Sequence, residues 1–142
     1  MSEPALAYTS NHAIPSDPDA ARLVQEEIIR QLQAHQFSEK EIFGIKLALD
    51  EAIVNAIKHG NHFDRNKKVR ISFHVQSTRF DIQIADEGIG FDPEDVPDPT
   101  AFENLERPCG RGLMLMRHYM SEVSFHSSGN CVIMSKLRNG SN

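Results

Sequence analysis

The chain lacks the features that would place it in several large classes of protein. It has no apolar run long enough to cross a membrane. Its N-terminus carries neither the basic nor the apolar segment of a secretory signal, so the expectation is a cytoplasmic protein without a membrane partner. Cysteine is scarce: Cys109 and Cys131 are the only two, they are not spaced as metal ligands, and without a secretory signal both are expected to stay reduced. The seven histidines are scattered. His59 and His62 lie close together, but no second cluster completes a metal site. A basic excess is missing too. The formal net charge is -5, which argues against a nucleic-acid partner, because such proteins usually present a basic face. Two phosphate-binding devices are absent: there is no GxxxxGK[ST], and Gly88-Ile89-Gly90 lacks the third glycine of a dinucleotide fingerprint. There is no internal repeat and no long polar tract. A length of 142 residues, 39% hydrophobic and 25% charged, suits a single domain with one core.

What is present is a readable order of elements. Residues 1–10 are mildly apolar and predict an edge strand. Ser16-Asp17-Pro18 then reads as a helix start, with a capping side chain and proline in the first turn. Leu23, Val24, Ile28 and Leu32 follow at helical spacing, and this helix should end near His35. Ser38-Glu39-Lys40-Glu41 is a capping box, with Phe37 and Ile42 as its hydrophobic staple. It predicts a second helix to about His59, ended by Gly60-Asn61. Val69, Ile71, Phe73, Val75 and then Phe80, Ile82, Ile84 alternate with polar residues, which predicts two strands joined at 76–78. A loop rich in Asp, Pro and Glu covers 87–109. A third helix should start near Gly110 and run to Met120. Strands near Val123–His126 and Cys131–Leu137 close the chain, with Ser128-Gly129-Asn130 turning between them. Helices and hairpin-like strands segregated in this way indicate an α+β two-layer sandwich, with a mostly antiparallel sheet covered on one face by helices.

The second helix has unequal faces. Ile42, Ile45, Leu49, Ala52, Ile53 and Ala56 form one apolar stripe, and Phe43, Leu47 and Val54 a second. Between them run Gly44, Ala48, Glu51, Asn55 and Lys58, small and polar residues that read as the floor of a cleft. Glu51 and Asn55 project side by side. An amide oxygen suits a hard cation such as Mg²⁺, a neighbouring carboxylate suits proton removal from a hydroxyl or water, and Lys58 is placed to reach phosphate. The plain alternative is a solvated polar stripe. Asp86 continues the core-facing row of Phe80, Ile82 and Ile84, where a carboxylate needs a partner. Glu87-Gly88-Ile89-Gly90-Phe91 follows, and its glycines permit close approach to a ligand. An acceptor so placed suits an N–H donor such as the exocyclic amine of adenine; a turn capped by Asp86 is the alternative. Gly110-Arg111-Gly112 runs into a helix N-terminus, which favours phosphate, with Arg111 placed to add charge to a transferring phosphoryl group.

Taken together these pieces resemble the GHKL ATPase superfamily. Glu51-Ala52-Ile53-Val54-Asn55 matches its N box, Asp86-Glu87-Gly88-Ile89-Gly90-Phe91 its first glycine box and Gly110-Arg111-Gly112-Leu113 its second. All three occur in the right order, and the match extends over roughly residues 15–137. Within the superfamily the chain looks most like the bacterial anti-sigma factor serine kinases, through Leu47-Ala48-Leu49-Asp50-Glu51-Ala52, Lys58-His59-Gly60 and the segment from Gly110 to Met120. The resemblance implies a single ATP-binding domain over 1–142, with 87–109 as a lid over ATP. It implies an ATP- and Mg²⁺-dependent serine/threonine kinase that phosphorylates an anti-anti-sigma (STAS-type) partner, sequesters a sigma factor and often forms a homodimer. Glu51 would be the catalytic base and Asn55 the Mg²⁺ ligand. Asp86 would read adenine, with Gly88 and Gly90 shaping its pocket, and Arg111 with Gly110, Gly112 and Leu113 would line the phosphate lid. The chain departs from the family where a Gly-Thr pair usually leads into the last strand, since here Gly129-Asn130-Cys131 stands. A non-catalytic ATP-binding module that shapes a partner surface is the alternative function.

Overall fold

The local signals in the sequence account for most of the elements. The computed structural model of the chain describes residues 6–88, 108–126 and 130–138, with the main chain alone for 108–113. Helix α1 spans Pro18–Ala34: the Asp17 side chain accepts from the Asp19 amide at 3.1 Å, and Ala21, Val24, Ile28 and Leu32 form the buried face. The chain leaves α1 through Gln36, which has a left-handed φ of 68°. Helix α2, Glu39–Val54, opens on the expected capping box, with Ser38 Oγ accepting from the Glu41 amide at 3.0 Å and Glu41 Oε1 from the Ser38 amide at 2.8 Å. The helix does not stay α-helical to its end. It widens into a π turn over Asn55–Gly60, a form that recurs at functional sites.

Five strands follow the expected order, and all pairings are antiparallel: β1 Tyr8–Pro15, β2 Lys68–Val75, β3 Arg79–Ala85, β4 Glu122–His126 and β5 Cys131–Leu137, arranged β1-β2-β3-β5-β4. The first strand is an edge strand but lies later than residues 1–10. Tyr8, Ser10 and His12 point inward there, because Glu27 of α1 meets them: Tyr8 OH donates to Glu27 Oε2 at 2.6 Å, and His12 Nε2 lies 3.1 Å from Oε1. Helix α3, Pro108–Tyr119, begins two residues before Gly110, so the Gly110–Gly112 segment falls inside its first turns.

The core lies between the sheet and the helices, as in an α+β two-layer sandwich. From the sheet it takes Val69, Ile71, Phe73, Val75, Phe80, Ile82, Ile84, Val132 and Met134; from the helices, chiefly Val24, Ile28, Leu32, Ile45, Leu49, Ile53 and Met116. The outer face of the sheet is polar. There Asp81 takes a bidentate bond from Arg79 at 2.7 and 2.9 Å, and a third from Ser135 Oγ at 2.6 Å. No helix among the described residues is long and apolar enough to cross a membrane.

Gly44, read with Ala48 as a cleft floor, proves to be the seat of α3. Both are buried, and a methyl at Gly44 would lie 2.7 Å from Cδ1 of Tyr119. Small residues there admit a neighbouring helix rather than a ligand.

Candidate nucleotide-binding site

Three walls meet at the C-terminal end of α2. The first is the helix end itself. Glu51 is half-buried in its last α turn, Asn55 opens the π turn half-buried, and Lys58 is exposed. Oδ1 of Asn55 and Nε2 of His59 are both buried with no hydrogen-bond partner among the described residues. Such atoms cost free energy unless something satisfies them. Burial, with the charges of Lys58 and His62, pushes the His59 imidazole below its ordinary value.

The second wall is the end of β3. Asp86 follows directly on the buried row Phe80, Ile82, Ile84, as expected. Its Oδ1 accepts from the Gly88 amide at 2.8 Å, so the loop turns back over the carboxylate. Burial pushes this carboxyl above the usual aspartate value, opposed by the Gly88 bond and the charge of Lys67. Wall one and wall two touch through glycine. A methyl on Gly60 would overlap the Asp86 carboxylate, and one on Gly88 would overlap the main-chain carbonyl of Gly60. Both positions need glycine for this approach. Gly90 lies outside the described residues, as do 89–107 of the expected lid.

The third wall is α3, which packs on α2 and on the π turn. Gly110, Arg111, Gly112 and Leu113 sit in its first turns, with side chains outside the described residues. The last wall-forming contact comes from Asn130, the residue before β5. The Asp86 amide donates to the Asn130 carbonyl at 2.9 Å, while Asn130 Nδ2 donates to the carbonyls of Asp86 at 3.1 Å and Gly88 at 3.4 Å. The residue that stands at the position of the usual threonine is thus tied to the main chain of the loop. Cys131, next along, is buried, and burial pushes its thiol up; it is a poor nucleophile.

Sequence reasoning missed one residue of this assembly. Asn61 was read only as part of a helix terminator, yet it is wholly buried, and its side chain bonds to three segments. The available signal was an amide side chain immediately after a helix-ending glycine. Among the described residues no group of three or more His, Cys, Asp or Glu is placed to hold a metal ion.

A helix end with an amide oxygen unpartnered among the described residues, a recessed aspartate over a glycine loop and a helix packed on that helix end fit an ATP-binding α+β domain. Comparison with known proteins agrees. Residues 14–136 match the histidine kinase-like ATPase domain family, and the chain belongs to that family. Among curated proteins it is 31% identical over 134 residues to the serine-protein kinase RsbW of Bacillus subtilis, spanning 89% of this chain and 84% of that protein. It is 31% identical over 140 residues to an anti-sigma F factor of Oceanobacillus iheyensis, spanning 94% and 91%. With an anti-sigma F factor of Clostridium perfringens it shares 34% over 106 residues, spanning 70% and 75%.

Proposed function

We propose that the protein is an ATP-dependent serine/threonine protein kinase of the anti-sigma type, which phosphorylates an anti-anti-sigma partner of the STAS type and also binds a sigma factor. The observation that carries this reading is the buried Oδ1 of Asn55, without a partner among the described residues, one helical turn from Glu51. The names of the relatives, a serine-protein kinase and anti-sigma factors, supply the class of reaction.

An amide oxygen is a hard donor of the kind Mg²⁺ takes, alongside water and phosphate oxygens. In this reading Asn55 holds the ion, and a bound Mg²⁺ neutralises charge on the nucleotide phosphates. Lys58 adds a cation beside them. In the first turn of α3 the Gly110 amide lacks a helical partner and is free to meet phosphate, Gly112 and Leu113 line the phosphate lid, and Arg111 supplies charge to the phosphoryl group in transfer. Asp86 reads adenine: the Gly88 amide occupies Oδ1, which leaves Oδ2 for an N–H of the base. Gly88 and Gly90 let the main chain approach that base. Glu51 takes the proton from the partner's hydroxyl. The hydroxyl oxygen forms a bond to the γ-phosphorus as the bond from that phosphorus to the bridging oxygen breaks, and ADP leaves with the electron pair.

The test uses purified protein, labelled ATP and candidate STAS-type proteins. Glu51→Gln should keep ATP affinity and reduce transfer by about a hundredfold or more. Transfer at the unaltered rate in that variant would remove Glu51 as the base. Tight ATP binding by the unaltered protein with no labelling of any partner would favour a non-catalytic ATP-binding module instead.

A further inference from the structure

The helix end and the Asp86 loop are joined by one side chain that the proposed chemistry does not use. Asn61 stands one residue beyond the π turn, 0% exposed. Its Nδ2 donates to Ser16 Oγ at 2.9 Å and to the Lys68 carbonyl at 3.0 Å, and its Oδ1 accepts from the Glu87 amide at 2.8 Å. Both amide hydrogens and the oxygen are therefore engaged. They reach three separate segments: the residue before the α1 cap, the start of β2 and the residue after Asp86. The far ends are braced as well. Ser16 Oγ donates to the Lys67 carbonyl at 2.8 Å, and the Lys68 amide donates to the Glu87 carboxylate. A buried, fully satisfied amide of this kind holds a single geometry, because any other leaves polar groups unpaired.

The three bonds differ in what they hold. The Ser16 and Lys68 arms fix Asn61 to the scaffold. The Glu87 arm alone transmits that position to the loop, and it does so at the peptide next to the base-reading aspartate. The Gly60–Gly88 contact permits the two walls to meet, but contact between glycines sets no register between them.

We propose that Asn61 is a positioning residue for nucleotide recognition: its bond to the Glu87 amide fixes Asp86 relative to the helix end that carries Asn55, so that base and phosphates are met at one spacing. This rests on the ATP reading given above. A purely structural role and a positioning role separate when the arms are cut one at a time. Ser16→Ala removes a scaffold arm. Asn61→Leu removes every arm while keeping the branched shape of the side chain. Asn61→Asp keeps an acceptor for Glu87 while losing both donors.

The experiment is calorimetric titration of each protein with MgATP and MgGTP, well below its melting temperature. Ser16→Ala should melt earlier yet bind ATP within about twofold of the unaltered protein, because the Lys68 and Glu87 arms of Asn61 remain. Asn61→Leu should weaken ATP by about tenfold or more and narrow the preference for ATP over GTP, since the displaced group is the one that reads the base. Asn61→Asp keeps the Glu87 bond but sets its second oxygen against the Lys68 carbonyl, so it should melt earlier yet retain more ATP affinity and base preference than Asn61→Leu. If Asn61→Leu does not fold, Asn61→Ser, too short to reach Glu87, carries the same expectation. Unchanged ATP affinity or unchanged base preference in the Leu or Ser variant overturns the proposal, as does a loss of affinity in all variants that merely follows their melting temperatures. Failure of the unaltered protein to bind ATP would instead overturn the reading on which the proposal rests.

Discussion

Replacing Gly44 with alanine sets two effects of opposite sign against each other. Glycine in a helix interior costs about 1 kcal/mol relative to alanine, so propensity alone predicts stabilisation. The added methyl, however, would lie 2.7 Å from Cδ1 of Tyr119 and 3.4 Å from its Cβ and Cγ. Carbon–carbon contact is favourable only from about 3.5 Å, so the ring or the helix must retreat by roughly 0.8 Å. The ring is not free to do so. His118 stands edge-on to it at 4.7 Å between centroids, and Lys136 Nζ holds the Tyr119 carbonyl at 3.0 Å. Overpacking of this kind costs about 1–3 kcal/mol, which leaves a net loss of about 1 kcal/mol. Urea unfolding reads this directly, and melting should fall by about 4 °C for a domain of this size. In a Tyr119→Ala background the overlap is gone and the propensity gain remains, so the same Gly44→Ala change should stabilise by about 1 kcal/mol. That reversal of sign is the decisive result. If Gly44→Ala stabilises the unaltered protein, Tyr119 does not press on α2. If it leaves stability unchanged and abolishes nucleotide binding, Gly44 lines the cleft and α3 sits elsewhere.

Asp86 and Arg138 provide two further tests at opposite ends of β3. The Asp86 carboxyl is raised in the folded chain chiefly by burial, so its contribution to stability is fully present below the unfolded aspartate value and is lost as pH rises through the folded value. Asp86→Asn should therefore raise the melting temperature of the ligand-free protein at neutral pH, with no such gain in acid, while weakening ATP by about ten- to a hundredfold, the worth of a hydrogen bond to a charged acceptor. Arg138 pairs with Glu41 at 3.2 Å, donates to the carbonyls of Ser77 at 2.8 Å and Gln36 at 2.9 Å, and lies 4.4 Å over the Phe37 ring. Arg138→Ala should cost about 2–3 kcal/mol in urea unfolding and leave ATP affinity unchanged; lysine, without the planar fork, should restore less than half. Burial pushes the Glu41 carboxyl up, but the Ser38 amide and Arg138 outweigh it and hold the group below its ordinary value. The stability it contributes is present above the unfolded glutamate value and lost as pH falls through the folded one, and Arg138→Ala should reduce that acid sensitivity.

Features with short-range causes were legible in the sequence. The capping box at Ser38–Glu41, the Asp17 start of α1 and the β2–β3 pair depend on neighbouring residues, and all three appear where their residues predict. Asp86 also falls on the expected row, because strand alternation carries directly into it. Features set by distant partners were not legible. The polar inner face of β1 makes sense only beside Glu27, which displaced the first strand from the segment the composition favoured. The π turn escaped because the six residues Asn55–Gly60 are too few for a hydrophobic period to be read from them. Gly44 and Ala48 did signal a close approach, but small residues do not say whether a ligand or a helix makes it. The bonds of Asn61 join residues remote in sequence, and no local pattern announces them.

The contact between Gly60 and Gly88 has a consequence for how this sequence can change. Each glycine belongs to a different motif, and each is small because of the other's surroundings: Gly88 makes room for the main chain of Gly60, and Gly60 for the carboxylate that Gly88 caps. Gly88 cannot acquire a side chain unless the main chain of Gly60 withdraws, nor Gly60 unless the Asp86 carboxylate moves, and either shift would disturb the bond between Asp86 and Gly88. The two sites are therefore mutationally a single locus. A substitution tolerated at one should appear only in chains whose other half of the cleft has been rebuilt.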